Sequence, residues 1–164
     1  MDSTSIIETS DSKNIIKNSL DSYKKVLTHL EDITLKIKKT LVNECSSDGR
    51  VDSKLLEKNQ FKCHGFAWFE TYRISLAQML NWYQILLNNK KDSELEAFIL
   101  ACSFSEYLMQ MKDGIMMSQS EIVRPLSDFS LEENDFDFLK SKDIEVLLKI
   151  GLAEETKLSI VDSL

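Results

Sequence analysis

Two histidines, three cysteines and one polar cluster are the residues of this chain with side chains suited to chemistry: His29 and His64; Cys45, Cys63 and Cys102; and Ser118, Gln119, Ser120, Glu121 and Arg124. A bundle metal site needs ligands repeated at helical spacing. His29 and His64 instead fall on separate stretches, preceded at the third position by Val26 and Phe61, so the Glu-x-x-His pair of a di-iron bundle is absent. Adjacent Cys63 and His64 would project about 100° apart on a helix and chelate poorly. No metal is expected, and His64 reads as a structural histidine. Nucleophilic catalysis needs a nucleophile, a base and an orienting group brought together, and nothing in the spacing pairs a cysteine with a base. The cysteines read as small buried hydrophobes. Their odd number, without paired spacing, argues against a disulfide framework and fits a reducing cytoplasm. The polar cluster follows Met109, Met111, Met116 and Met117, so it could line a small-molecule site with Trp68 or Tyr72. The simpler reading is a loop that satisfies its own backbone and in which Arg124 pairs with Glu121.

The elements that must position these residues read as helices. At 164 residues the chain is long enough to bury a core of its own. Its four glycines (Gly49, Gly65, Gly114 and Gly151) are isolated, which excludes a glycine-rich phosphate cradle. A net charge of −7 argues against nucleic acid as a partner. Lys36, Lys38 and Lys39 read as a solvated helix end. No apolar run reaches the eighteen or so residues of a membrane span, and no signal peptide is visible, so no membrane partner is expected.

Residues 1–12 are rich in Ser, Thr and Asp and read as a loose segment, with Ile6 and Ile7 able to dock. From Lys13 to Glu44, Ile16, Leu20, Tyr23, Leu27, Leu30, Thr34, Ile37 and Leu41 step by four and three, a heptad seam on one helix ~48 Å long. Val26 and Ile33 widen the stripe, which favours packing against the chain's own helices. A turn through Cys45–Arg50 precedes a second helix, capped by Asp52 or Ser53 and running to Asn88–Asn89. From Phe61 onward it is apolar nearly all round, apart from a strip through Glu70, Arg73, Asn81 and Gln84, so it reads as the central helix. Glu70 and Arg73 are spaced to pair. Ser93 and Glu96 form a capping box for a third helix that ends at Asp113–Gly114. Residues 115–128 lack periodicity. Ser130 with Glu133 reads as another capping box, and Asp143–Ile150 and Glu154–Leu164 as short helices around Gly151. The expected class is all-α, a mostly antiparallel bundle of three long helices over 13–125. Residues 126–164 are expected to form an acidic linker with short helices.

Two segments have an unusual wording. The run Phe61 to Trp82, with His64-Gly65, Ala67-Trp68, Thr71-Tyr72, Leu76, Gln78-Met79 and Trp82, resembles the N-terminal helical extension of acyl-CoA dehydrogenases of the methylsuccinyl-CoA dehydrogenase type. So does the pattern Glu106-Tyr107-Leu108, Gly114-Ile115, Met117-Ser118-Gln119, Glu121 and Arg124-Pro125. The likeness covers residues 55–125, with Ser120 where glycine is expected. It implies a flavoenzyme context in which an α,β-bond of an acyl-CoA thioester is oxidised, a glutamate taking the α-proton and FAD the β-hydride. None of the catalytic or flavin-contacting residues of that family has a counterpart here. The implied role is a non-catalytic accessory domain, or a truncated or split N-terminal part, inactive alone and binding no cofactor alone. Its implied partner is the flavoprotein body, or a second copy. The candidate interface positions are His64, Gly65, Trp68, Tyr72, Met79, Trp82, Met117, Ser118, Gln119, Glu121, Arg124 and Pro125. The alternative is a stand-alone adaptor that binds a partner helix through the seam of residues 16–41.

Overall fold

The computed structural model describes residues 9–163, with side chains from residue 11. The chain is all-α: 78% of it is helical, with two minimal antiparallel hairpins. Among the described residues the α-helices are α1 Thr9–Asn18, α2 Leu20–Glu44, α3 Ser53–Lys58, α4 Gln60–Asn88, α5 Glu94–Asp113, α6 Pro125–Asp128, α7 Lys142–Leu152 and α8 Glu154–Asp162. A 3-10 helix spans Glu133–Lys140. Strands β1 (Ser46–Ser47) and β2 (Arg50–Val51) form the first hairpin, and β3 (Ile115–Met116) and β4 (Ile122–Val123) the second. The segment expected to be loose lies for residues 1–8, Ile6 and Ile7 included, outside the described residues. Residues 9–12 form the first turn of α1.

The seam from Ile16 to Leu41 faces inward. Ile16, Tyr23, Leu30, Thr34, Ile37 and Leu41 are buried, as are Val26 and Ile33, while Leu20 and Leu27 are half-buried. It packs against α4, α7 and the 3-10 helix, so the adaptor reading fails: the side chains it needs are spent on the chain's own core. The single helix expected over 13–44 is two. Ser19 turns its hydroxyl onto the Ile15 carbonyl at 2.7 Å, a back-bond that bends helices, and Ser22 N–H reaches back to the Ser19 carbonyl at 2.9 Å. The second long helix is interrupted in the same way at Asn59. Its side-chain amide donates to the carbonyls of Leu55 (3.0 Å) and Glu44 (3.3 Å), closing α3 and the end of α2 together. Asp52 caps α3, accepting from the N–H groups of Lys54 and Leu55.

The central helix is α5, not α4. Ala97, Phe98, Leu100, Ala101, Phe104, Ser105, Leu108 and Met111 are buried on several sides of α5, which touches α1, α4, α6, α7 and α8. The Ser93–Glu96 capping box that starts it is present. Helix α7 comes closest. A Cβ at Gly151 would stand 2.2 Å from both the Ala101 carbonyl oxygen and the Ser105 hydroxyl, so this glycine lies inside α7 and sets its approach to α5. By contrast α4 buries one stripe only: Gly65, Phe69, Leu76, Leu80 and Tyr83. Apolar composition all round makes a helix central only if neighbours exist on all sides, and the neighbours of α4, chiefly α2, α5 and the β3–β4 hairpin, bury that single stripe.

Residues beyond 125 fold onto this framework. Phe129, Leu131, Phe136, Leu139, Ile144, Leu147 and Ile150 belong to the same core as Phe69 and Phe98. Ser22 donates to the Asp143 carboxylate (2.7 Å), and Lys36, exposed as expected, pairs with Asp135 (2.6 Å). The capping box expected at Ser130–Glu133 is formed two residues later, by Glu132 and Asp135, because Ser130 takes a left-handed backbone (φ 55°) that ends the preceding turn.

Candidate functional site

The two segments of unusual wording meet in space. Gly65 on α4 lies against the buried side chain of Val123 on β4, so close that a Cβ there would be 2.6 Å from one of its methyl groups. Gly114, at φ 153°, lets the chain leave α5 and enter the hairpin. Glu121 closes the hairpin turn: its carbonyl accepts from Met117 N–H (2.8 Å) and Ser118 N–H (3.2 Å), and its carboxylate accepts from the Ser118 hydroxyl at 3.2 Å. Ser120, where glycine was expected, closes the turn without a positive φ.

Above this junction runs an aromatic shelf. His64, Trp68 and Tyr72 are spaced by four on α4 and so stack one turn above another. The Trp68 indole N–H donates to His64 Nε2 at 3.1 Å, and the Trp68 and Tyr72 rings meet edge to face at 6.2 Å. Tyr72 crosses to α5, where its ring stacks on Tyr107 at 4.3 Å and its hydroxyl donates to Gln110 Oε1 at 3.1 Å. Burial first, and then the neighbouring Tyr107, push the Tyr72 phenol above its ordinary pKa. Gln110 continues into a shallow groove of 370 Å³ lined by Glu106, Met109, Asp113, Gly114, Ile122 and Arg124. Lys157 of α8 holds Glu106 at 2.6 Å. The Arg124 guanidinium forms no ion pair among the described residues, contrary to the expected pairing with Glu121. Arg124 N–H donates to the Asp128 carboxylate at 2.7 Å, with Pro125 buried at the first position of α6. A larger depression of 480 Å³ lies elsewhere, along α7, with Glu145 and Lys149 as its only charged side chains and no aromatic wall.

The remaining positions scatter. Gln119 is exposed at the hairpin tip, and Met117 and Met79 are half-buried against the core. Trp82 lies on the outside of α4, about 21 Å along the helix from Trp68. Tyr107 and Gln110 carry the shelf onto α5 and were not singled out as site residues. Their signal was a three-residue spacing on the helix next to the one that bears Tyr72. The contacts that build the shelf are ring stacking and hydrogen bonds. Among the described residues no three His, Cys, Asp or Glu side chains converge as a metal site would require, and no helix is long and apolar enough to cross a membrane.

The outer surface of α4 is uniform in a way its sequence conceals. Its exposed residues are Gln60, Phe61, His64, Ala67, Thr71, Ile74, Gln78, Asn81, Trp82, Ile85 and Asn88, all on one face and none of them Asp, Glu, Lys or Arg. The charges of α4 sit at the sides and are paired: Lys62 with Glu44 (2.9 Å), and Arg73 with Glu70, whose carboxylate also accepts from Thr34 at 3.2 Å. The Arg73 hydrogen bond, ahead of every other influence, holds the Glu70 carboxyl below its usual range.

No family model matches the chain. It is similar to (2S)-methylsuccinyl-CoA dehydrogenase of Cereibacter sphaeroides, with 39% identity over 106 residues, which make up 65% of this chain and 19% of that enzyme. The relationship to an acyl-CoA dehydrogenase therefore holds over about a fifth of the relative's length.

Proposed function

We propose that this chain is a non-catalytic helical accessory part of an acyl-CoA dehydrogenase-like flavoenzyme, and that it packs on the flavin-binding body through the outer face of α4. The observation that carries the reading is that uncharged face: Phe61, Ile74, Trp82 and Ile85 are 37–50% exposed on a chain of net charge −7. Uncovered apolar surface of this extent, rimmed by Asn and Gln, is characteristic of a surface that meets another protein. The occupant is argued from the relative, in which the matched segment makes up 19% of the enzyme and the remaining four-fifths lie outside it.

The full enzyme implied by this reading holds FAD and oxidises an acyl-CoA thioester. The groove beside the aromatic shelf is a poor match for FAD. Its lining carries two carboxylates, Glu106 and Asp113, against one guanidinium, and the nearby Lys157 is already paired with Glu106, so it offers a diphosphate no surplus of positive charge. No step of flavin chemistry is assigned to these side chains. Their part is mechanical: the α4–α5 shelf and the β3–β4 hairpin hold the outer face of α4 in register for its partner.

The test is a chimera in which this chain replaces the matched segment of the Cereibacter sphaeroides enzyme. Retained flavin and retained oxidation of that enzyme's own substrate support the reading. A folded, flavin-loaded chimera whose α4 face is still open to solvent in hydrogen exchange sinks it.

A further inference from the structure

Three free cysteines are present, and two of them touch. Cys45 Sγ and Cys63 Sγ lie 3.7 Å apart, although eighteen residues separate them in the chain. Cys45 follows the last turn of α2 and is 5% exposed; Cys63 is half-buried in the first turn of α4. Between them run the β1–β2 hairpin and α3, and α3 buries none of its residues. The Asn59 bond to the Glu44 carbonyl and the Lys62–Glu44 ion pair, both within four residues of the thiols, fix the two helix ends against each other. The third cysteine, Cys102, lies on α5 and is not part of this contact.

We propose that Cys45 and Cys63 form a reversible intramolecular disulfide that locks the end of α2 to the start of α4, with a low-molecular-weight disulfide such as oxidised glutathione as the oxidant. The Cys63 thiolate, the more accessible of the two, attacks one sulfur of the oxidant. A mixed disulfide forms and a first glutathione thiolate leaves. Cys45 then attacks Cys63 Sγ, the protein bridge forms, and a second glutathione thiolate leaves. The two protons lost by the protein thiols end on the two glutathiones, so two electrons pass from the protein to the oxidant. Burial raises the Cys63 thiol, and its hydrogen bond to Cys45 adds to the effect, so the thiol form resists chance oxidation. Closing the loop of residues 45–63 ties down a segment in which Cys45 alone is buried.

The experiment equilibrates the folded full chain with oxidised and reduced glutathione, traps free thiols by alkylation and maps tryptic peptides without reduction. The expected result is one cross-linked pair, residues 40–50 joined to residues 63–73, with Cys102 trapped as a thiol or a glutathione adduct. The bridge should raise the melting temperature by roughly 5–10 °C, an effect that reduction reverses. In Cys45→Ser, Cys63 should stop at the mixed disulfide with glutathione. The proposal is overturned if Cys45 and Cys63 stay free in excess oxidised glutathione while both react once the chain is unfolded. A bridge through Cys102 or between chains overturns it equally, and so does a bridge that lowers the melting temperature. Cys102→Ser, which leaves the pair intact, should give the same bridge.

Discussion

Replacing Gly65 by alanine tests whether α4 and the β3–β4 hairpin meet as described. Alanine in a helix interior gains about 1 kcal/mol over glycine, so on an open face Gly65→Ala would stabilise the protein. Here the new Cβ falls 2.6 Å from one Val123 methyl and 2.9 Å from the Val123 Cβ. Val123 is fully buried and has no room to swing aside, so overpacking costs ~1–3 kcal/mol. The two effects leave Gly65→Ala neutral to about 2 kcal/mol less stable. Val123→Ala alone loses two buried methyl groups, at ~0.8 kcal/mol each before any cavity cost. In that background the methyl at 2.6 Å is gone while the Cβ at 2.9 Å stays, now as an alanine methyl, so Gly65→Ala should recover part of its helix gain. The double-mutant cycle, read by urea unfolding followed with far-UV circular dichroism, should give a coupling of ~1–3 kcal/mol. A Gly65→Ala protein that is more stable by about 1 kcal/mol, with no coupling to position 123, would refute the reasoning.

Gly151→Ala should be more damaging, because its Cβ would meet the Ala101 backbone, which has no rotamer to change; we expect a loss of roughly 3 kcal/mol in the same unfolding assay. Tyr23 and Tyr83 are buried with hydroxyls that have no hydrogen-bond partner among the described residues, so Tyr23→Phe should be neutral or slightly stabilising at neutral pH in thermal melts. Burial pushes the Tyr83 phenol up to about 12 and raises Tyr23 further, from an ordinary 10.0. Their contribution to stability is intact below pH 10.0 and is lost as pH climbs toward about 12, so alkaline unfolding in that window should be blunted in the double Phe variant. The Glu70 carboxyl is lowered from 4.5, so its contribution is complete above that pH and lost as pH falls through the lower folded value. Glu70→Gln should flatten the acid limb of a stability-versus-pH curve and leave the alkaline limb unchanged.

The helical class, the inward seam, the Asp52 and Ser93 caps and the Glu70–Arg73 pair follow from local rules, since periodicity, capping spacing and charge spacing act within one or two turns. What was not legible depends on contacts between distant residues. The breaks at Ser19 and Asn59 arise from side-chain amides and hydroxyls competing for backbone carbonyls, and nothing near them distinguishes these residues from a Ser or Asn tolerated in a helix. The exchange of centre between α4 and α5 has the same origin. Both helices are apolar on most sides, and only the tertiary arrangement decides which one gains α7 as a neighbour. Gly151 held the clue, because a glycine inside an apolar helix stretch marks a close approach as readily as a turn. The shelf was half visible in the spacing of His64, Trp68 and Tyr72, whereas the Tyr107 stack and the Cys45–Cys63 contact needed two helices to be placed side by side.

Docking through the outer face of α4 depends on the absence of charge there. Its most direct measurement compares the chimera described above, with and without Ile74→Asp and Ile85→Asp, for binding energy against fold stability. Both side chains are about half exposed, so in the isolated chain the pair should change unfolding by no more than ~1 kcal/mol. In the chimera the same pair should expose α4 to hydrogen exchange and lower activity at least tenfold. Wild-type activity and unchanged protection in the substituted chimera would contradict the claim.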